Sequence, residues 1–160
     1  STTYESWEFH GEVVYNYSYD RKDDDYFNYV AGFTYTFDDF AKKIWLEKID
    51  VTVEYANEII TRFQNAENYV ASSKKSRLGR NDILSRINFE YSNKLSFQFV
   101  CNFQLTRGEE GRFQRLEAKY KFRDGLISKL AAEFFGGQSD SLYGRWVRND
   151  RIILEVEYSF

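Results

Sequence analysis

The sequence predicts an all-β protein, a transmembrane antiparallel up-and-down β-barrel to which this chain of 160 residues contributes about eight strands. Three observations favour this class. Large apolar side chains alternate with polar ones in stretches of about ten residues, separated by turn-forming residues. Aromatic residues make up 19% of the chain beside 29% charged residues, a combination that few soluble domains show. The chain also lacks Pro, a residue that the interior of a sheet excludes.

The first three alternating stretches are residues 7–19, 27–37 and 45–55. In the first of them, Trp7 and Phe9 lie on the apolar side of the pattern. The polar side of the first and third stretches carries charged residues and the single histidine: Glu8, His10, Glu12, Lys48, Asp50 and Glu54. Because successive side chains of a strand point to opposite sides, this alternation predicts strands with one apolar and one polar face.

Five further alternating stretches follow, at residues 83–91, 95–105, 115–122, 126–134 and 152–160. Their polar side is again rich in charge: Arg86, Glu90, Arg115, Glu117, Lys119, Lys121, Lys129, Glu133, Glu155 and Glu157. Residues 92–94 and 123–125 are tight hairpin signals, whereas residues 57–81 and 136–150 are long connectors. An up-and-down meander therefore places the long connectors at one end of the sheet and the tight turns at the other.

The volume of the side chains decides which face of the barrel points inward. The interior of an eight-stranded barrel is only just wide enough for its own side chains, and the aromatic rings of the apolar face would overfill it. The opposite face carries nearly balanced charges, which can pair inside a barrel. We therefore expect the apolar face outside, against lipid, with Tyr and Trp near the strand ends forming interfacial girdles. The alternative is a soluble β-sandwich or a lipocalin-like barrel with an apolar interior.

The last stretch ends in "EVEYSF", with alternating apolar residues that finish on an aromatic ring. This ending resembles the closing strand of bacterial outer-membrane β-barrels. In that family the terminal Phe belongs to a signal that the barrel-insertion machinery reads, and the matching residues are Val156, Tyr158 and Phe160. The resemblance implies a location in the bacterial outer membrane, with the lipid bilayer, lipopolysaccharide and the insertion machinery as partners.

Shorter strings resemble a narrower group within those barrels. "GFTYTF", "VEY" and the segment from "FFGGQSDSLYGRW" to the C-terminus resemble the C-terminal part of porin-like or alginate-export-like barrels. The resemblance implies passive transport of small solutes or ions, with no enzymatic activity and no cofactor. Residues 1–160 would then form a single outer-membrane barrel domain, or the C-terminal part of a larger one. The alternative function is a closed eight-stranded barrel with a salt-bridged, non-conducting interior, which serves a structural or adhesive role through its outer loops.

The polar face is the candidate site. In a closed barrel its charges must pair, because an unpaired buried charge is costly, whereas in a wider barrel they line water and set ion selectivity. His10 lies between Glu8 and Glu12, and it is either a hydrogen-bonded interior histidine or the base of a lipid hydrolase, although no Ser occurs in a recognisable motif.

Two other features of the sequence bear on partners. A basic cluster in the first long connector could contact lipopolysaccharide: Lys74, Lys75, Arg77 and Arg80. The lone Cys101 excludes an intrachain disulfide framework, and no Cys/His cluster suggests a metal. The net charge of −3 gives no indication of nucleic-acid binding.

Overall fold

The computed structural model describes residues 2–4, 6–19, 24–62 and 80–158 of the chain. The strands are β1 (Thr2–Tyr4), β2 (Trp7–Asn16), β3 (Asp25–Thr36), β4 (Lys48–Arg62), β5 (Asp82–Glu90), β6 (Leu95–Gln104), β7 (Gly111–Arg123), β8 (Leu126–Gly137) and β9 (Arg151–Tyr158). One short helix, α1 (Asp38–Lys43), lies between β3 and β4, and one 3₁₀ turn (Gly144–Trp146) lies between β8 and β9.

The strands form one nine-stranded sheet in the order of the sequence, and every neighbouring pair is antiparallel. This confirms the predicted all-β, up-and-down meander of eight strands, β2 to β9, to which the short β1 is added. The end of β4, the start of β5 and the loop 138–150 lie at one end of the sheet, called here the long-loop end. The turns 91–94 and 124–125 fall at the other, called here the short-turn end.

The pairing register aligns the apolar residues of each strand with those of its neighbours, and the polar residues likewise. On one side Phe33 lies opposite both Phe9 and Val53, and this side, with the large apolar side chains, is called the apolar face. On the other side Thr34 lies opposite both Glu8 and Thr52, and this side is called the polar face. Because the side-chain period is two, a slip of one residue in any pair would have mixed the faces.

The predicted closure into a barrel is not found, and the sheet is open. Among the described strands β9 pairs only with β8, and β2 pairs only with β1 and β3. The prediction that the strands of this chain close into a barrel was wrong, because the alternation on which it was based is a property of single strands. It does not specify whether the first and last strands meet, which depends on tilt and stagger around the whole ring. The described strands also form one layer, so the two packed sheets of a β-sandwich are not found.

The apolar face is uncovered. Within the described residues, the hydrophobic side chains that are buried are few: Ala41, Ile49, Cys101 and Ala131. Large side chains of the same face remain open, with Ile152 79% exposed, Leu154 70% and Val156 64%. The sheet therefore has no hydrophobic core of the kind that holds a soluble domain together.

Helix α1 was not predicted by the alternation. Two aspartates lie in its first turn and two lysines in its last, which complements the helix dipole, and Ala41 is the buried residue of the helix. The helix displaces the start of β4 to Lys48. Trp45, which the pattern placed in the strand, instead lies in the turn with a φ of 60°, and the residue is 84% exposed.

Candidate functional site

The pairing register places the predicted charge network on the polar face. One row of opposed residues runs Glu8, Thr34, Thr52, Arg86, Val100, Arg115, Glu133 and Arg151. A second row nearer the short-turn end contains Lys48, Glu90, Ser96, Lys119, Lys129 and Glu155. His10, Glu12, Asp50, Glu54, Glu117, Lys121 and Glu157 have the same parity in their strands. These charged side chains therefore share one face of the sheet and are exposed to the same surroundings.

Glu133 is the centre of the tightest charge cluster. Arg115 donates from Nη1 to Glu133 Oε1 at 2.7 Å and from Nη2 to Glu117. Arg151 on β9 donates from Nε to the other Glu133 oxygen, also at 2.7 Å. The Glu133 side chain is only 4% exposed, so two guanidinium groups compensate one buried carboxylate. Such compensation is what a buried charge requires.

Lys129 forms a second, more open cluster between β8 and β9. Its ammonium lies 3.0 Å from Glu155 Oε1 and 3.3 Å from Glu157 Oε2. Both carboxylates are about half exposed, at 51% and 55%. Ion pairs that are open to solvent contribute little to stability, so this cluster does not hold β8 and β9 together strongly.

His10 is hydrogen-bonded to Glu54, two strands away, with 2.7 Å between Nε2 and Oε1. The pair closes over Gly32 of the strand between them. A Cβ at Gly32 would lie 2.9 Å from His10 Nε2 and 2.8 Å from Glu54 Cγ, so a side chain there would push the pair apart. Among the described residues no hydroxyl is hydrogen-bonded to His10, and a nucleophile within that reach is what the hydrolase alternative requires.

Hydrogen bonds between polar side chains extend the network over β3 to β6. Thr36 donates to Asp50 at 2.6 Å, and Lys48 lies 2.9 Å from the other oxygen of the same carboxylate. Gln98 donates to Asn88 at 2.8 Å. The polar face is thus continuous across neighbouring strands.

Several predicted network residues form no ion pair in the described part of the chain: Glu8, Glu12, Arg86, Glu90 and Lys119. Two of them, Glu90 and Lys119, line a recess of about 260 Å³ together with Asn88, Gln98 and Lys129. Lys121 instead reaches Asp124 in the turn beyond the strand, at 2.9 Å, and this contact lowers the pKa of the Asp124 carboxyl. The polar face therefore combines paired charges with charges open to water.

The other predicted site residues have mixed positions. Val156 and Tyr158 lie on the apolar face of β9, opposite Ser128 and Leu126. Phe160, Lys74, Lys75 and Arg77 lie outside the described residues. Arg80 is described, and its guanidinium lies 3.2 Å from the nearly buried carboxylate of Glu58. Contact of this basic cluster with lipopolysaccharide stays a prediction.

An aromatic cluster on the polar face was missed by the sequence reasoning. Phe113 and Phe135 lie opposite each other with ring centroids 5.2 Å apart, and Tyr143 from the 138–150 loop stacks on Phe113 at 5.8 Å. The signal was present in the sequence, because both Phe113 and Phe135 occupy positions where the alternation calls for a polar residue. The 138–150 loop consequently folds over the polar face at the long-loop end.

No helix of the described segments is long and apolar enough to cross a membrane. Among the same residues, no group of three or more His, Cys, Asp or Glu side chains could hold a metal ion. Comparison of the chain with protein-family models, with curated proteins and with solved structures gives no match.

Proposed function

We propose that the protein forms the wall of a bacterial outer-membrane β-barrel of porin type, through which small solutes or ions pass without energy input. The observation that carries this proposal is the uncovered apolar face, which extends from β2 to β9. Full burial of one large aliphatic or aromatic side chain is worth about 1.5–3 kcal/mol, so a face of such side chains needs a cover. The hydrocarbon of a bilayer is a medium that covers it completely.

The backbone supports the same assignment. A lipid environment offers no hydrogen-bonding partners, so only helices and sheets with paired strands are tolerated in it. The strands β3 to β8 each have a neighbour on both sides, so over the stretches where both pairings exist their backbone polar groups are satisfied within the sheet. In the proposed barrel, further strands complete the ring at the two outer edges, one formed by β9 and the other by β1 and the part of β2 that β1 leaves unpaired.

The aromatic residues at the short-turn end form the belt expected at a membrane interface. Trp7 lies opposite Tyr35 at the ends of β2 and β3, and their ring centroids are 4.6 Å apart. Tyr120 and Tyr158 lie near the same end, on β7 and β9, and are 41% and 53% exposed. Trp and Tyr favour this depth because their apolar rings and polar tips meet both lipid and water.

The polar face then borders the aqueous path. Arg86, Glu90 and Lys119 have no ion-pair partner within the described residues, and such charges are tolerated where water solvates them. The open edges favour a wider barrel over the closed eight-stranded cylinder, in which β9 would pair with β2. We therefore place the charged side chains along a water-filled lumen, where they set ion selectivity.

Conductance of the protein reconstituted in a planar lipid bilayer tests this function. Stable conductance steps are expected, and Lys119→Glu should shift the selectivity towards cations because it reverses a charge on the lumen wall. Lys119→Arg keeps the charge and serves as the matched control, with unchanged selectivity. A membrane-inserted, folded protein that gives no steps would contradict the porin-type function and support the closed, non-conducting alternative.

A further inference from the structure

A cavity of about 580 Å³ lies between the 138–150 loop and the ends of β8 and β9. Its lining is chiefly Phe135, Leu142, Tyr143, Trp146, Arg148 and Asn149. Phe135 has the parity of Glu133, so the cavity opens on the polar face at the long-loop end. Its size lies in the range typical of small-molecule sites, which are mostly apolar with a few placed polar groups.

The loop that forms the cavity is held in place by specific contacts. Ser141 is fully buried, donates from Oγ to the Gln138 carbonyl at 2.8 Å and accepts from the Gly144 amide at the same distance. The Leu142 amide donates to the side-chain oxygen of Gln104 on β6. A Cβ at Gly144 would lie 1.8 Å from the Gln138 carbonyl oxygen, so only glycine permits this close approach. The cavity is therefore preformed.

Three rings give the cavity an apolar wall. Tyr143 is fixed by its stacking on Phe113, and Phe135 packs against the same ring. Trp146 is 53% exposed, and in the described part of the chain it stacks on no other ring. The indole therefore presents free aromatic surface to a ligand, and flat rings pack favourably against such surface.

The polar groups of the cavity leave one cation available. Asp150 accepts a hydrogen bond from the Phe135 amide at 2.8 Å, and Arg151 is paired with Glu133. Arg148 makes no hydrogen bond or ion pair within the described residues. A guanidinium presents a planar fork of donors that matches a carboxylate in a bidentate arrangement. The unsatisfied group in this site therefore selects for a negative charge.

We infer that the cavity binds an aromatic carboxylate, with its ring on Trp146 and its carboxylate on Arg148. The combination is specific, since the rings favour a flat apolar body and the guanidinium favours an acid. The cavity lies on the polar face, so the bound molecule lies in the aqueous path. The assignment of this ligand as a transported solute rests on the proposed function, whereas its binding does not.

Fluorescence titration of the full chain in detergent tests the inference, with benzoate as the probe. In the background Trp7→Phe, Trp45→Phe, Trp146 is the reporter, because the chain has three Trp residues. Benzoate should give a saturable change, and Arg148→Gln should weaken it at least about tenfold through loss of a charged hydrogen bond. Benzyl alcohol, which has the ring without the charge, should bind weaker by a similar factor.

Arg145→Gln is the matched control, because Arg145 lies in the same 3₁₀ turn and donates to the Asp140 carbonyl outside the cavity lining. It should leave the benzoate affinity unchanged. Equal affinities for benzoate and benzyl alcohol, an Arg148→Gln variant that binds normally, or the absence of a saturable change would each overturn the inference. Binding in detergent needs no pore, so these outcomes are distinct from a failure of conductance, which concerns the proposed function alone.

Discussion

Glu133 shows at the level of a single residue how the polar face is stabilised. Its carboxylate is nearly buried and receives one guanidinium from β7 and one from β9, so the removal of either leaves the other in place. The exposed carboxylates around Lys129 have water as an alternative partner. The two clusters look alike in sequence, because both consist of alternating basic and acidic residues. They differ in that the buried Glu133 carboxylate requires an arginine partner, whereas the exposed carboxylates around Lys129 do not.

We expect Arg115→Met and Arg151→Met to be non-additive in the free energy of unfolding. Each single variant leaves Glu133 with one partner, whereas the double variant leaves a buried carboxylate unpaired, at a cost on the order of 3 kcal/mol. Denaturant unfolding in detergent measures this coupling. Lys129→Met is the control and should lower stability much less than the double arginine variant, because the carboxylates around Lys129 remain open to water. Additive effects of the two arginine variants would contradict the account.

Gly32 provides a second test at the residue scale. Its added Cβ would lie 2.6 Å from the Val53 carbonyl oxygen and would also press on the His10–Glu54 pair. Gly32→Ala should therefore destabilise the protein by about 1–3 kcal/mol, the usual cost of overpacking. Gly11→Ala on β2 is the matched control, since its Cβ would meet its nearest described neighbour at 3.3 Å. Equal stabilities of the two variants, measured by the same unfolding method, would argue against a strained contact.

At the scale of single elements, β7 presents an apolar and a polar face within a few residues. Leu116 is on the apolar face and 52% exposed, while Lys119 is on the polar face of the same strand. In a background without native Trp, Leu116→Trp should be quenched by brominated lipid, because its ring faces hydrocarbon in the proposed barrel. Lys119→Trp should respond to a water-soluble quencher instead. The same response of both variants to one quencher would contradict the assignment of the faces to lipid and water.

The 138–150 loop is the second element with a measurable signature. Burial raises the pKa of Tyr143 to about 12, with a further contribution from the charge of Asp82. The folded loop therefore favours the neutral phenol. Its contribution to stability is complete below the ordinary pKa of 10.0 and is lost as the pH rises through about 12. An alkaline titration followed by tyrosinate absorbance should show a late component that Tyr143→Phe removes. A wild-type titration without this component would contradict the burial.

For the whole molecule, the open edges are the decisive feature. Half of the amides of an edge strand point away from its neighbour and exchange with water unless another strand pairs with them. In the reconstituted protein we expect the amides of β9 to be protected from hydrogen exchange as strongly as those of β6, which is paired on both sides. Rapid exchange of alternate amides in β9 would show that its edge stays open and that no ring forms.

The strand number and the two faces follow from the sequence because they depend on local alternation. The open sheet, the helix α1 and the folded 138–150 loop do not follow from it. Ring closure depends on contacts between the first and last strands, and α1 lies between two alternating stretches, where a period of two predicts nothing. Phe113 and Phe135 break the alternation at one end of neighbouring strands, and only the pairing register shows that they meet Tyr143.

The order of the strands has a consequence for how the molecule is made. Every strand pairs only with its neighbours in sequence, so each new strand finds its backbone partner across a single connector. The sheet can therefore grow by one hairpin at a time, and at each stage one new edge is unpaired. In the proposed membrane location, a chain of this topology can assemble as it enters the bilayer, and its apolar face need not be exposed as a whole in water, where it would aggregate.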